Sequence, residues 1–530
     1  MIRRLVPGAL TFLLLGLVIG GAFAGLLRAA GTVEYGAFLQ SPYTRRVVTF
    51  TVWQALLSTL LSVGPAILVA RALARRASFP GRALLLRLFG LPLVLPTLVG
   101  ILGVVAIYGQ SGLFNRCLAA LGMEPRQFLY GLPGILIAHA FFNLPLATRL
   151  LLPVWGAIPG ETWRLATQLG MKSWQVFRLI EWPLLRQVLP NVAGLVFMLC
   201  FTSFAVVLTL GGGPANSTIE TAIFQAVRFE FDLGKAVQLA LLQVAICGVL
   251  AVAGQRFVHD VPLTPTAQRP QDRPDLDAWG GRLTDAAVLL IAAAFVLLPL
   301  VAVLSRGVAG PVGKVLADPT LWFAFARSLG VAVGAGLLAT AAGWGLLLTS
   351  RELRLRRYRR RASTAMETTA SLVLVVPPLV IGTGLFAVLS PVADVFALGI
   401  ALVIVVNAIM GLPYVIRTLG PPLMRAGEQH DRLCASLGIA GWNRLRLVEW
   451  PLLRRPVATA LALSAALAVG DLGVIALFGT QNTTTLPLLL YQRMAAYQLD
   501  AAAVTAVVLA ALCFGLFAVI EPGVGGHGRR

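Results

Sequence analysis

The chain has 530 residues, 58% hydrophobic and 12% charged, with a mean hydropathy of +0.84. That balance excludes a water-soluble enzyme or binding module, whose surface needs far more charge. A formal net charge of +21 would suit a nucleic-acid binder, yet the arginines sit beside apolar stretches and read as anchors on anionic membrane lipid, with no nucleic acid implied.

In chain order, apolar stretches long enough to cross hydrocarbon fall at about 8–29, 50–70, 86–108, 132–152, 190–210 and 236–255. A second set follows at about 284–305, 322–350, 367–390, 395–416, 456–479 and 500–520. Arg3-Arg4 and the Ala22-Phe23-Ala24 tripeptide imitate a secretory leader, but the apolar run continues through Leu26-Leu27, which favours an uncleaved first helix. With that end inside, the cytoplasmic loops and both tails hold about 32 of the 43 Lys/Arg, as the positive-inside rule requires. The densest runs, Arg71, Arg75, Arg76, Arg82 and Arg87, then Arg351, Arg354, Arg356, Arg357, Arg359, Arg360 and Arg361, read as topology determinants. Five scattered cysteines give neither a disulfide framework nor metal spacing.

Between spans four and five lies a polar segment that the chain repeats 268 positions later. Residues 144–186 and 412–454 align without a gap, with about 18 of the 43 paired positions identical. The shared residues include Arg164-Leu165/Arg432-Leu433, Leu169-Gly170/Leu437-Gly438 and Trp174/Trp442, then a run from Glu181-Trp182-Pro183 to Arg186 matched by Glu449-Trp450-Pro451 to Arg454. In the first copy Leu165 and Leu169 fall four apart, on one face of a short predicted helix that Gly170 closes. Trp174 follows, then a predicted turn at Glu181-Trp182-Pro183 before the chain re-enters the membrane. Leucine anchors flanked by Arg and Trp fit a groove in a partner protein, and a twice-repeated spacing favours docking over a loop that lies in the lipid interface.

The offset divides the chain into a first half, 1–255 with the loop at 153–188, and a second half, 284–530 with the loop at 418–455. The joint, 256–283, carries Pro262, Pro265, Pro270 and Pro274 with Asp272, Arg273, Asp275 and Asp277, and reads as a cytoplasmic linker. Six spans per half set the halves parallel, both repeated loops on one side, with a cavity between the two bundles as the natural pathway. Further echoes are Leu93–Pro96 with Leu374–Pro377, Ala70-Arg71 with Ser350-Arg351, and Thr218-Ile219 with Thr485-Leu486.

No Gly-x-x-x-x-Gly-Lys-Ser/Thr phosphate loop occurs; Gly310–Lys314 is too short and falls on the predicted outer side. No catalytic triad, paired carboxylate or metal cluster is evident, so neither an enzyme nor a cofactor is expected. Within the spans, Asp471 with its counterpart Ser203, and Asn143 with Asn407, are candidates to line a pathway. For Asp471 a hydrogen-bonded structural carboxylate is the competing reading; for His139, Asn143 and Asn407 it is interhelical hydrogen bonding. The turn-rich outer stretches Gly211–Asn216 and Thr480–Thr485 are equally a partner's landing site or plain turns.

The spacing Gly170-x9-Ile180-x2-Pro183, mirrored by Gly438-x9-Val448-x2-Pro451, resembles the cytoplasmic signature loop of binding-protein-dependent ABC importer permeases. The usual Glu-Ala-Ala opening is replaced by Arg164-Leu165-Ala166 and Arg432-Leu433-Cys434, so the role of that acidic residue does not carry over. Across nearly the whole chain the sequence is similar to the fused, two-half thiamine permeases of that family, with fused ferric-iron permeases as the alternative. The resemblance implies an all-α polytopic membrane protein, a pseudo-dimer of about twelve transmembrane helices in two tandem six-helix halves. It implies a multi-pass inner-membrane permease with both termini cytoplasmic, two copies of a cytoplasmic ATPase, a periplasmic thiamine-binding protein, and thiamine as cargo. Arg164, Leu165, Leu169, Gly170, Trp174 and Pro183, with Arg432, Leu433, Leu437, Gly438, Trp442 and Pro451, would couple to the ATPase. An ion-gradient-driven transporter is the reading from another class; few carboxylates lie in the spans to support it.

Overall fold

The computed structural model describes residues 6–30, 35–255, 273, 275, 279–356, 358–371, 373, 376–439 and 441–520. Arg3-Arg4, Arg357, Leu374-Val375 and the linker apart from residues 273, 275 and 279–283 lie outside them. Among the described residues the fold is helical without strands. In the first repeat the main helices are α1 (Val6–Ala30), α2 (Pro42–Arg75), α3 (Thr97–Tyr108), α4 (Leu132–Gly156), α5 (Gly160–Gln168), α6 (Ser173–Phe201), α7 (Ala205–Leu210), α8 (Ile219–Arg228) and α9 (Leu233–Gln255). In the second they are α10 (Trp279–Ala309), α11 (Pro319–Arg351), α12 (Pro378–Leu389), α13 (Gly399–Ser436), α14 (Gly441–Val469), α15 (Gly473–Phe478), α16 (Leu486–Ala495) and α17 (Leu499–Ile520).

Among the described residues eleven helices are long and apolar enough to cross a membrane, and the predicted ninth span, 367–390, is not one of them. Pro377-Pro378 splits it: Arg360–Ser371 is polar, and α12 is a shorter apolar helix of 12 residues. Gly90, Pro92 and Pro96 likewise break the predicted 86–108 span into short turns before α3 begins. The predicted spans 190–210 and 456–479 both shift. Their helices begin far earlier, at Ser173 and Gly441, and stop at Phe201 and Val469; a break and a six-residue helix follow in each repeat.

Two compact units form, and they are not the two halves of the sequence. One holds Leu39–Thr221 with Ile246–Ala309; the other holds Met1–Phe38, Ala222–Ala245 and Gly310–Arg530. Helix α10, from the second repeat, therefore packs on α2 and α3 of the first, while α1 packs on α11 and α12 of the second. In the first unit α2, α4 and α6 form the core. In the second, α11, α13 and α14 pack through small residues; a Cβ on Gly343 would lie 2.5 Å from Val415. Close approach of this kind replaces the hydrophobic drive that lipid cannot supply. One tertiary contact recurs in both repeats: the Ile219 N–H donates to Thr51 Oγ1 at 3.0 Å, and the Leu486 N–H donates to Ser328 Oγ at 2.8 Å.

Candidate functional site

The repeated segment folds as a helix end, a reversal and the start of a long helix. Helix α5 ends on Leu169, and Gly170 takes φ of +59°, the left-handed value that a side chain resists. The Gly170 N–H donates to the Thr167 carbonyl and the Met171 N–H to that of Ala166, both at 3.0 Å, closing the helix by the reciprocal pair of a Schellman end. The second copy does the same: Gly438 has φ of +64°, and the Ile439 N–H donates to the Cys434 carbonyl at 2.8 Å. The incoming helix differs. Where the sequence predicts a loop over 418–455, α13 runs unbroken for 38 residues to Ser436, past Pro413 and Pro421-Pro422.

The predicted turn at Glu181-Trp182-Pro183 is absent, and the chain stays helical there. Phe177–Glu181 and Leu445–Glu449 are π-helical, and the Trp182 and Trp450 N–H groups reach back five residues to Phe177 and Leu445. A proline ring clashes with the carbonyl four residues before it and brings no N–H, so one widened turn lets Pro183 and Pro451 sit inside a continuous helix.

Both copies present the same face. Leu165 and Leu169 are 55% and 62% exposed, Leu433 and Leu437 are 55% and 63%, and Trp174 and Trp442 are 66% and 73%. Arg164 and Arg432 are exposed beside them, while Ala166 and Cys434 turn inward, as do Leu185 and Leu453. Large apolar side chains left uncovered on one face at matched positions form a surface suited to association.

Behind each face is a buried charge network that sequence reading missed, having assigned Arg71, Arg75, Arg76 and Arg351 to topology alone. Arg71 Nε donates to Glu181 Oε2 at 2.6 Å, and Arg351 Nη1 donates to Glu449 Oε1 at 2.8 Å. The recurrence of Arg71/Arg351 and Glu181/Glu449 was the available signal. Arg75 and Arg76 pair with Asp285 at the start of α10. Arg444 bridges Glu449 at 2.7 Å and Asp431.

Of the pathway candidates, Ser203 and Asp471 lie at helix breaks, while Asn143 and Asn407 sit inside α4 and α13. In the second unit Asp471 accepts hydrogen bonds from the Gly473 and Val474 N–H groups at 3.1 and 3.3 Å and from Asn407 Nδ2 at 3.2 Å, so its carboxylate starts α15. In the first unit Asn143 Nδ2 donates to Cys200 Sγ at 3.3 Å, His139 Nδ1 pairs with Ser58 Oγ at 2.8 Å, and Ser203 sits in the break before α7. The stretches predicted to lie outside carry matched single turns of 3-10 helix, Pro214–Asn216 and Gln481–Thr483.

Residues 66–260 and 341–524 match the family described as binding-protein-dependent transport system inner membrane component. The chain is 44% identical over 525 residues to the thiamine transport system permease protein ThiP of Salmonella typhimurium (strain LT2), covering 99% of this chain and 97% of that protein. It is 43% identical over 521 residues to the protein of the same name from Brucella abortus (strain 2308), covering 97% and 94%. The sulfate transport system permease protein CysW of a Synechocystis strain (ATCC 27184 / PCC 6803 / Kazusa) is 30% identical over 270 residues, 94% of its own length but 47% of this chain. A protein of one repeat's size thus aligns with about half of this one.

Proposed function

Because the chain belongs to the family of binding-protein-dependent transport system inner membrane components, we propose that it is the membrane half of an ATP-driven thiamine importer. Thiamine as cargo is supported by full-length similarity to thiamine permeases over more than nine-tenths of each chain. Two copies of a cytoplasmic ATPase dock on the two exposed faces, one at α5 and one at the end of α13. A periplasmic thiamine-binding protein delivers cargo to the opposite side, where the matched outer turns lie. Both termini are cytoplasmic, in keeping with the arginine distribution.

The observation that carries this reading is the matched pair of uncovered faces, with the same leucines and tryptophan exposed to nearly the same degree in each. ATP-driven closure of the two ATPase copies biases the permease between two states, as any partner with differential affinity must. The pathway runs beside the breaks at Ser203 and Asp471, since interrupted spans are tolerated in a bilayer only where protein or a cavity receives their backbone polar groups.

The test replaces Leu165, Leu169, Leu433 and Leu437 together with Ser. Exposed positions contribute little to folding, about 0.5 kcal/mol each, whereas interface anchors contribute about 1–3 kcal/mol each to binding. The expected result is full membrane insertion, loss of the co-purified ATPase and loss of thiamine uptake. Retained ATPase on the quadruple variant would refute the docking surface.

A further inference from the structure

We propose that Arg273 and Asp275, which belong in sequence to the joint between the repeats, complete the first coupling segment as a positioning clamp. The reason is a pair of linked differences between the copies. Position 176 is Val where the second copy has Arg444, and position 163 is Trp where the second copy has Asp431. In the second copy Arg444 holds both neighbours, with Nε on Glu449 at 2.7 Å and Nη2 on Asp431. In the first copy the missing guanidinium comes from elsewhere in the chain. Arg273 Nη2 donates to Glu181 Oε1 at 2.5 Å, and its guanidinium carbon lies 4.2 Å from the Trp163 ring centroid.

One arginine therefore bridges the same two positions in each copy, by an ion pair to Asp431 in one and by a cation–π contact to Trp163 in the other. Asp275 completes the set. It accepts from Arg273 Nε at 3.1 Å and lies 3.8 Å from Arg71 and 3.7 Å from Arg75. The Glu181 and Asp275 side chains are fully buried and Arg273 nearly so. Removing Arg273 leaves Glu181 with its Arg71 pair and Asp275 with the longer contacts to Arg71 and Arg75, so the buried negative charge is less fully compensated. The second coupling segment supplies its bridging arginine from within; the first takes it from the joint. A change at Arg273 should thus loosen α5 and the start of α6 and leave the end of α13 untouched. That α5 seats an ATPase rests on the preceding reading; the clamp itself does not.

The experiment is hydrogen exchange on the full chain in lipid nanodiscs, followed over residues 160–181 and 428–449, with ATPase co-purification alongside. Arg273→Ala should speed exchange in 160–181 at least about tenfold and leave 428–449 unchanged. Arg273→Ala/Val176→Arg, which places an arginine beside Glu181 where the second copy has Arg444 beside Glu449, should restore protection. Unchanged protection of 160–181 in Arg273→Ala overturns the clamp, and so does equal loosening of both segments. Selective loosening of 160–181 with undiminished ATPase binding upholds the clamp and removes α5 from the docking surface instead.

Discussion

At the scale of single residues, the two repeats place chemically different demands on similar side chains. Gly170 and Gly438 have open space around them, so a side chain there meets no neighbour; the obstacle is the positive φ alone. Replacing either with Val should cost about 1–2 kcal/mol locally and unwind the helix end that presents Leu169 or Leu437. Asn, which tolerates the left-handed conformation, should be nearly neutral, and ATPase co-purification from the paired Val and Asn variants checks this. Glu449 is different in kind. It is buried between Arg351 and Arg444, and Glu449→Gln removes the carboxylate the two guanidinium groups share while Arg444 keeps Asp431, a loss of about 3 kcal/mol readable as a lower midpoint of thermal unfolding.

At the scale of elements, Pro183 and Pro451 set the rotation of everything N-terminal to them on α6 and α14. Pro183→Ala supplies an N–H and removes the ring clash, so the widened turn at Phe177–Glu181 should close to regular helix. Removing one residue's worth of winding turns the preceding face by about 100°. A thiol placed at position 174 should then lose its reactivity to a water-soluble reagent in Pro183→Ala, and keep it where Pro183 is present. The start of α11 offers a pH test. Burial alone would raise the Asp318 carboxyl; hydrogen bonds from Thr320 and the Arg493 guanidinium at 2.7 Å outweigh this and hold it below the usual value. A carboxyl held low in the folded state adds stability above its ordinary range, lost as pH falls through the folded value. Asp318→Asn should therefore lower thermal stability modestly near pH 6, by about 0.5 kcal/mol, with the deficit shrinking below about pH 4.

At the scale of the whole molecule, the exchange of first helices between the repeats has a direct consequence. Cutting the chain between residues 264 and 265 should not separate it, because α1 packs with second-repeat helices and α10 packs with first-repeat helices. Fragments 1–264 and 265–530 expressed together should co-purify, and recovery of either fragment alone would contradict the packing. Orientation is tested by single cysteines at positions 174 and 442. Both should react with an impermeant reagent only from the cytoplasmic side of sealed vesicles, as docking of both faces on a cytoplasmic ATPase requires.

The sequence alone determined the helical, membrane-spanning class, the internal repeat and the residues of the two exposed faces. These are local properties: hydropathy accumulates along a span, and a leucine pair four apart on a helix closed by glycine shares a face whatever surrounds it. It also pointed to Asp471 as either pathway or structural group, and the hydrogen bonds to Gly473, Val474 and Asn407 account for its carboxylate within the fold. Tertiary structure decided the rest. The sequence reads Pro183 as a turn because proline more often ends a helix than sits in one, and only continuous packing of α6 against α2 and α4 keeps the helix running through it. Arg71 and Glu181 are 110 positions apart and Arg273 and Glu181 are 92, distances over which no pattern in a single chain shows that charges meet. Which bundle α1 and α10 join was equally hidden, since an apolar helix satisfies the bilayer in either place and only the small-residue contacts of its neighbours select one.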